Sequence, residues 1–141
     1  MPTESRQTIL IVDDEPTNIA VLNAMLNKHY KVKAALNGND ALKIAQSDNK
    51  PDLILLDVIM EKPDGFDVCA TLKSQPATQH IPIIFVTALT EVKNDRKGIE
   101  LGAVDVFSKP YSAPIILKRL ENHFELINLK QSTRTGNATL D

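Results

Sequence analysis

Five apolar runs, each of six residues or fewer, constrain this chain more than any other feature: Thr8 to Val12, Val32 to Leu36, Leu53 to Leu56, Ile81 to Val86 and Val104 to Phe107. The first, third and fourth are nearly continuous in Ile, Leu and Val. A strand with one face in water alternates apolar and polar residues. A run that is apolar throughout has both faces covered, as in a parallel sheet between layers of helix. The segments between the runs have helical spacing. Ile19, Leu22, Met25 and Leu26 mark the first, with Pro16 in its opening turn. Ala41, Leu42 and Ala45 mark the second, introduced by Asn37-Gly38, and Phe66, Cys69 and Leu72 mark the third, which must stop before Pro76. The fourth, from about Glu91 to Leu101, is polar with a thin apolar edge at Val92 and Ile99, which predicts a loosely held helix. The fifth opens at Ser112 with Pro114 in its first turn and carries Leu117, Leu120, Phe124 and Ile127.

Strand and helix alternating five times imply right-handed crossovers and an α/β doubly wound (βα)5 sandwich. The expected sheet is parallel and five-stranded in the order 2-1-3-4-5, the flavodoxin-like arrangement. Ligands in such folds bind outside the carboxyl ends of the strands, at the switch point between strands one and three. That rule selects Asp13, Asp14 and Asp57. The expected organisation is an N-terminal tail over 1–6, one domain over 7–127, and a helical extension with a disordered tail or start of a linker over 128–141. From Ser132 the residues are small and polar. Leu117, Leu120, Phe124 and Ile127 step by 3, 4 and 3, which reads either as a helix packed on its own domain or as a short heptad seam.

Charge and composition exclude several functions. A formal charge of −2 with no basic stripe argues against direct binding of nucleic acid. No apolar run approaches the ~20 residues needed to span a bilayer, and MPTESRQ lacks the layout of a signal peptide, so a cytoplasmic location is expected and no membrane partner. The single Cys69 cannot form an internal disulfide and reads as a small core residue. His29, His80 and His123 show no ligand spacing, and Tyr30 and Tyr111 read as packing or loop residues.

The chemistry concentrates at the strand ends. Two carboxylates ~5 Å apart at an effective dielectric near 20 repel by roughly 3 kcal/mol. Three gathered acids therefore imply a hard divalent cation, and oxygen ligands with room for water suit Mg²⁺. Lys109 ends the fifth run as a fixed positive charge, and Thr87 ends the fourth with a hydroxyl. A carboxylate nucleophile, a divalent metal, an ammonium and a hydroxyl are the parts that stabilise a transferring phosphoryl group.

The spread of ILIVDDEP, LILLDVIM, IIFVTA and FSKP resembles the receiver (response-regulator) family over roughly residues 7 to 125. By that resemblance, Asp57 accepts a phosphoryl group from a phosphohistidine on a sensor histidine kinase or histidine phosphotransfer protein. Asp14 would ligate Mg²⁺ directly and Asp13 assist, with Asp57 and the backbone carbonyl of Ile59 completing the ligands. Thr87 and Lys109 would contact phosphoryl oxygens, helped by backbone N–H groups near Ile59 and Ala88. The resemblance also implies a cis Lys109–Pro110 bond and a switch in the face made by the fourth helix, fifth strand and fifth helix, with a homodimer through that face as one outcome. LGAVDVFSKPYSAPIILKRLENHFEL resembles receivers attached to cyclic-di-GMP turnover domains or to sensor kinases. On that footing the chain is a single-domain regulator or a piece of a longer one, acting on an output domain or protein partner.

The chain departs from the family pattern in three places. Glu61 stands where proline is usual, with Pro63 two positions later, though Asp64-Gly65 is retained. Val106 replaces the usual aromatic three before Lys109, and strand alternation turns Phe107 to the opposite face. Ile59 and Leu89, flanking the phosphoryl site, are apolar and cannot orient a water, which implies slow self-dephosphorylation as the only activity besides the chain's own phosphotransfer. A haloacid-dehalogenase-like phosphatase would need a second acid where Ile59 stands. A flavin carrier would need a Ser/Thr/Gly-rich loop where Asp13-Asp14-Glu15 stands. A phosphate-free adaptor would be expected to lack one of the key residues, and none is missing.

Overall fold

The computed structural model describes residues 6–88, 99–109 and 112–140, with backbone alone for residue 88 and for 130–140. The five strands are β1 (Thr8–Val12), β2 (Lys31–Ala35), β3 (Leu53–Asp57), β4 (Ile83–Ala88) and β5 (Asp105–Lys109). They form one parallel sheet in the order β2-β1-β3-β4-β5, as the alternation of runs predicts. Strand boundaries follow pairing more than hydropathy. Apolar content ends the last run at Phe107, yet Ser108 and Lys109 stay in the sheet opposite Thr87 and Ala88. Ile81, placed in the fourth run by its composition, is buried but precedes β4.

Each helix begins where local chemistry allows. Helix α1 (Pro16–Leu26) has proline in its first turn, where the missing N–H costs nothing. Helix α2 (Gly38–Gln46) is capped by Asn37, whose side chain accepts from the Asp40 N–H at 2.8 Å. Helix α3 (Gly65–Lys73) opens on a capping box in which Asp64 and Asp67 each accept the other's backbone N–H. Alternate residues of the central strands point to opposite faces. Leu10, Val12, Ile54, Leu56 and Phe85 pack with Ala41 and Ala45 of α2 and with Val68, Cys69 and Leu72 of α3 in one buried cluster. Phe66 meets Phe85 edge-on at 5.2 Å between ring centroids.

The chain divides into two compact units, one ending at residue 110 and one beginning at residue 111. The second is the C-terminal helix (Ala113–Leu140), in which Ile116, Leu120 and Phe124 are buried and Leu126 and Leu129 exposed. Its buried stripe steps by four and takes in Ile116, where the sequence pattern marked Leu117. The helix also runs on through Ser132 to Leu140, where composition pointed to a tail without regular structure. Propagating an existing helix adds one hydrogen bond per residue fixed, so weak formers can follow a strong start. Among the described residues no helix is long and apolar enough to cross a membrane. The N-terminal tail as far as residue 5, Leu89, the Lys109–Pro110 bond and most of the fourth helical segment lie outside the described residues. Ile99 and Glu100, at the end of that segment, are helical. Among the described residues the cis X–Pro bond is Lys62–Pro63.

Candidate phosphoryl and metal site

Side-chain alternation brings the acids together. Ile9, Ile11 and Asp13 share one face of the first strand and its extension, and Leu53, Leu55 and Asp57 share the same face of the adjacent β3. Asp13 continues the ladder beyond β1, its N–H donating to the Ala35 carbonyl at 3.1 Å. One ligand atom from each of Asp13, Asp14 and Asp57 lies within 4.8 Å of the others, with Asp13 and Asp57 buried and Asp14 exposed. Lys109 reaches this group from the end of β5. Its Nζ stands 3.9 Å from Asp13 Oδ2 and 4.0 Å from Asp57 Oδ2, almost equidistant between the two carboxylates.

The backbone donates one hydrogen bond to each of the two buried carboxylates. Asp13 Oδ1 accepts from the Glu15 N–H at 2.9 Å, and Asp57 Oδ1 accepts from the Ile59 N–H at 3.3 Å. These bonds do not cancel the electrostatic stress. Burial first, and the Asp13 carboxylate second, push the Asp57 carboxyl up to about 7, against the opposing pull of Lys109 and the Ile59 N–H. Three carboxylates and one ammonium leave the site with a formal charge of −2. A divalent cation matches that deficit, and an all-oxygen donor set suits a hard one. The residues present therefore fit Mg²⁺.

Of the residues the sequence singled out, Asp13, Asp14, Asp57, Lys109 and the Ile59 backbone are brought together. Thr87 is buried near the end of β4, one residue past Val86, the partner of Asp57 across the ladder. Ala88 closes that strand opposite Lys109. Val106 packs against the α2–α3 cluster, and Phe107 is buried on the other face. Two glycines were not singled out. A β-carbon on Gly65 would run into the Asp57 carbonyl oxygen, and one on Gly38 into the Pro63 carbonyl oxygen. The turn residues Asn37-Gly38 and Asp64-Gly65 were the available signal, but a turn does not say which backbone comes close.

Residues 9–121 match the family model described as the response regulator receiver domain. A Vibrio cholerae protein named as a probable cyclic di-GMP phosphodiesterase is 42% identical over 86% of this chain and 27% of its own length. Response regulator PleD of Caulobacter vibrioides is 41% identical over 91% of this chain and 29% of its own. The chain thus spans between a quarter and a third of the length of these relatives. Among solved structures, the signal receiver domain of a signal transduction histidine kinase from Syntrophus aciditrophicus superposes with a TM-score of 0.74. It is 33% identical, over 82% of this chain and 88% of that one.

Proposed function

The chain belongs to the response regulator receiver domain family of two-component signalling, and from that premise we propose that Asp57 is its phosphoacceptor, working beside Mg²⁺. The observation that carries this reading is the buried Asp57 carboxylate at the end of a central strand, with two more acids within 4.8 Å and an ammonium at 4.0 Å.

Receiver domains take phosphoryl groups from histidine kinases. In this chain the Asp57 carboxylate oxygen would attack phosphorus, forming an O–P bond as the bond from phosphorus to the donor imidazole nitrogen breaks. The product is an acyl phosphate, and the imidazole leaves with the electron pair and takes up a proton. Asp13, Asp14, Asp57 and the Ile59 carbonyl would hold Mg²⁺, which supplies charge neutralisation to the phosphoryl oxygens. Lys109 offers those oxygens its ammonium once the added charge draws it from the two carboxylates. The Thr87 hydroxyl and the N–H groups of Ile59 and Ala88 complete their contacts. Ile59 is 57% exposed beside the site and apolar, which disfavours placing a hydrolytic water. The phosphorylated form therefore decays slowly. The output would be a partner or attached domain. Coupling to cyclic di-GMP turnover is supported by the 42% identity to the probable phosphodiesterase.

Incubation with acetyl phosphate and Mg²⁺, followed by intact mass, tests the reading. The expected result is a gain of one phosphate that vanishes in Asp57→Asn and with a chelator, and that is lost slowly once acetyl phosphate is removed. A gain that survives Asp57→Asn would place the chemistry elsewhere.

A further inference from the structure

Gly38 opens α2, a helix that carries none of the residues assigned to the phosphoryl site. It is buried nonetheless. Besides meeting the Pro63 carbonyl oxygen, a β-carbon there would stand 2.7 Å from Pro63 Cγ and 2.9 Å from Val68 Cγ2. Only hydrogen fits that space, so the tip of the loop between β3 and α3 rests directly on the α2 backbone. The base of the same loop is closed by the other glycine. Gly65 N–H donates to the Val58 carbonyl at 3.1 Å, and its missing β-carbon leaves room for Val58 Cα at 2.8 Å. Between these two fixed points lies Ile59, whose N–H faces Asp57 and whose carbonyl is assigned to the cation.

Other restraints on the tip are weaker. Lys62 Nζ lies 3.3 Å from Asp64 Oδ2 and 3.1 Å from Asp67 Oδ2, but the lysine side chain is 78% exposed, and water and salt weaken such a tether. The Gly38 seat is buried, and the Asn37 cap fixes it in place. Pro63, which stands two positions later than the resemblance leads one to expect, is the residue that rests on it.

We infer that Gly38 is a positioning residue for the cation site: by lacking a side chain it lets Pro63 settle on α2, and so sets the depth at which the Ile59 peptide faces Asp57. This rests on the reading that Asp57, Asp13 and Asp14 hold Mg²⁺. A glycine needed only to start a helix would affect stability and leave metal affinity alone.

Calorimetric titration of the metal-free full chain with Mg²⁺, run beside thermal unfolding, separates the two roles. Gly38→Ala should weaken Mg²⁺ binding about tenfold, the loss typical of disturbing a group that orients a ligand. Ala45→Gly, buried at the other end of the same helix, should lower the unfolding temperature and leave Mg²⁺ affinity at the wild-type value. If Gly38→Ala does not fold, Pro63→Ala removes the ring from the loop side of the same seat and should weaken Mg²⁺ in the same direction. Wild-type affinity in the folded Gly38 and Pro63 variants, or an equal loss in Ala45→Gly, overturns the inference while leaving Asp57 as the phosphoacceptor. A wild-type chain that binds no Mg²⁺ overturns it together with the functional reading.

Discussion

The two strands that bring opposite charges to the site are built differently. β3 and β5 are each five residues long, and each ends on an ionisable residue, Asp57 and Lys109. β3 lies between β1 and β4 and is buried along its whole length. β5 is an edge strand paired with β4, and only Phe107 among its residues is buried. A group at the end of β3 cannot shift without disturbing ladders on both sides. Lys109 comes from a strand paired on one side and reaches in on a flexible stem. The stress of the site is therefore stored on the rigid strand, in Asp57, and the responsive charge sits on the compliant one.

The largest expected effect tests the rigid side. In metal-free protein Asp57 titrates near 7 instead of the ordinary 3.8, chiefly because it is buried. An acid whose folded-state pKa is raised holds its proton more tightly folded than unfolded. Its contribution is whole below about pH 4, fades as pH rises through 7, and is absent above; the full span is up to about 4 kcal/mol. Urea unfolding in chelator should show wild type gaining stability relative to Asp57→Asn between pH 8 and pH 5, and saturating Mg²⁺ should erase the gain. Parallel pH profiles for the two proteins would mean that β3 does not hold its carboxyl under stress.

The next effect compares the strands through one shared neighbour. Leu56 of β3 and Val106 of β5 both sit opposite Phe85, on its two sides, and both pack into the α2–α3 cluster. Leu56 is fully buried and its surroundings are fixed on both sides, so Leu56→Ala leaves a cavity and should cost about 3 kcal/mol. Val106 is only partly buried and its strand can relax, so Val106→Ala should cost about 1 kcal/mol. Equal shifts in the denaturation midpoint would show the edge strand to be as rigid as the central one.

The same contrast explains what could be read from the sequence. The acids were legible because strand ends and side-chain alternation are periodic properties. Once Asp13 and Asp57 end adjacent parallel strands on one face, strands ~5 Å apart bring them together. Lys109 followed from the same rule, although hydropathy ended the last run at Phe107 and ladder pairing carried β5 two residues further; Thr87 lies near the end of β4, one residue out of step with Val86, the partner of Asp57. Gly38 and Gly65 were not legible as parts of the site. A sequence shows that a glycine permits close approach, but the approaching backbone is chosen by tertiary packing. In the C-terminal helix the start and the buried Leu120 and Phe124 were legible, but the first position of the stripe was not. With Ile115, Ile116, Leu117 and Leu120 all apolar, more than one stripe can be drawn, and burial selects Ile116, Leu120 and Phe124.

The smallest effect isolates the compliant side. Asp57 feels two charges of opposite sign, Asp13 raising its pKa and Lys109 lowering it. Asp13 is 1% exposed and Lys109 28% exposed, so mobile ions reach the attraction more readily than the repulsion. Added salt should therefore weaken the Lys109 pull more than the Asp13 push, and the Asp57 pKa in metal-free protein should rise. Because Lys109 is only partly exposed, the rise from low ionic strength to 0.5 M monovalent salt should be a few tenths of a unit. Carboxyl NMR titration of wild type and Lys109→Met resolves a shift of this size. In Lys109→Met the pKa should start higher, since the attraction is gone, and salt should then lower it slightly by screening the neighbouring carboxylates that remain. A salt response of the same sign in both proteins would mean that the edge strand's lysine does not govern the charge felt by Asp57.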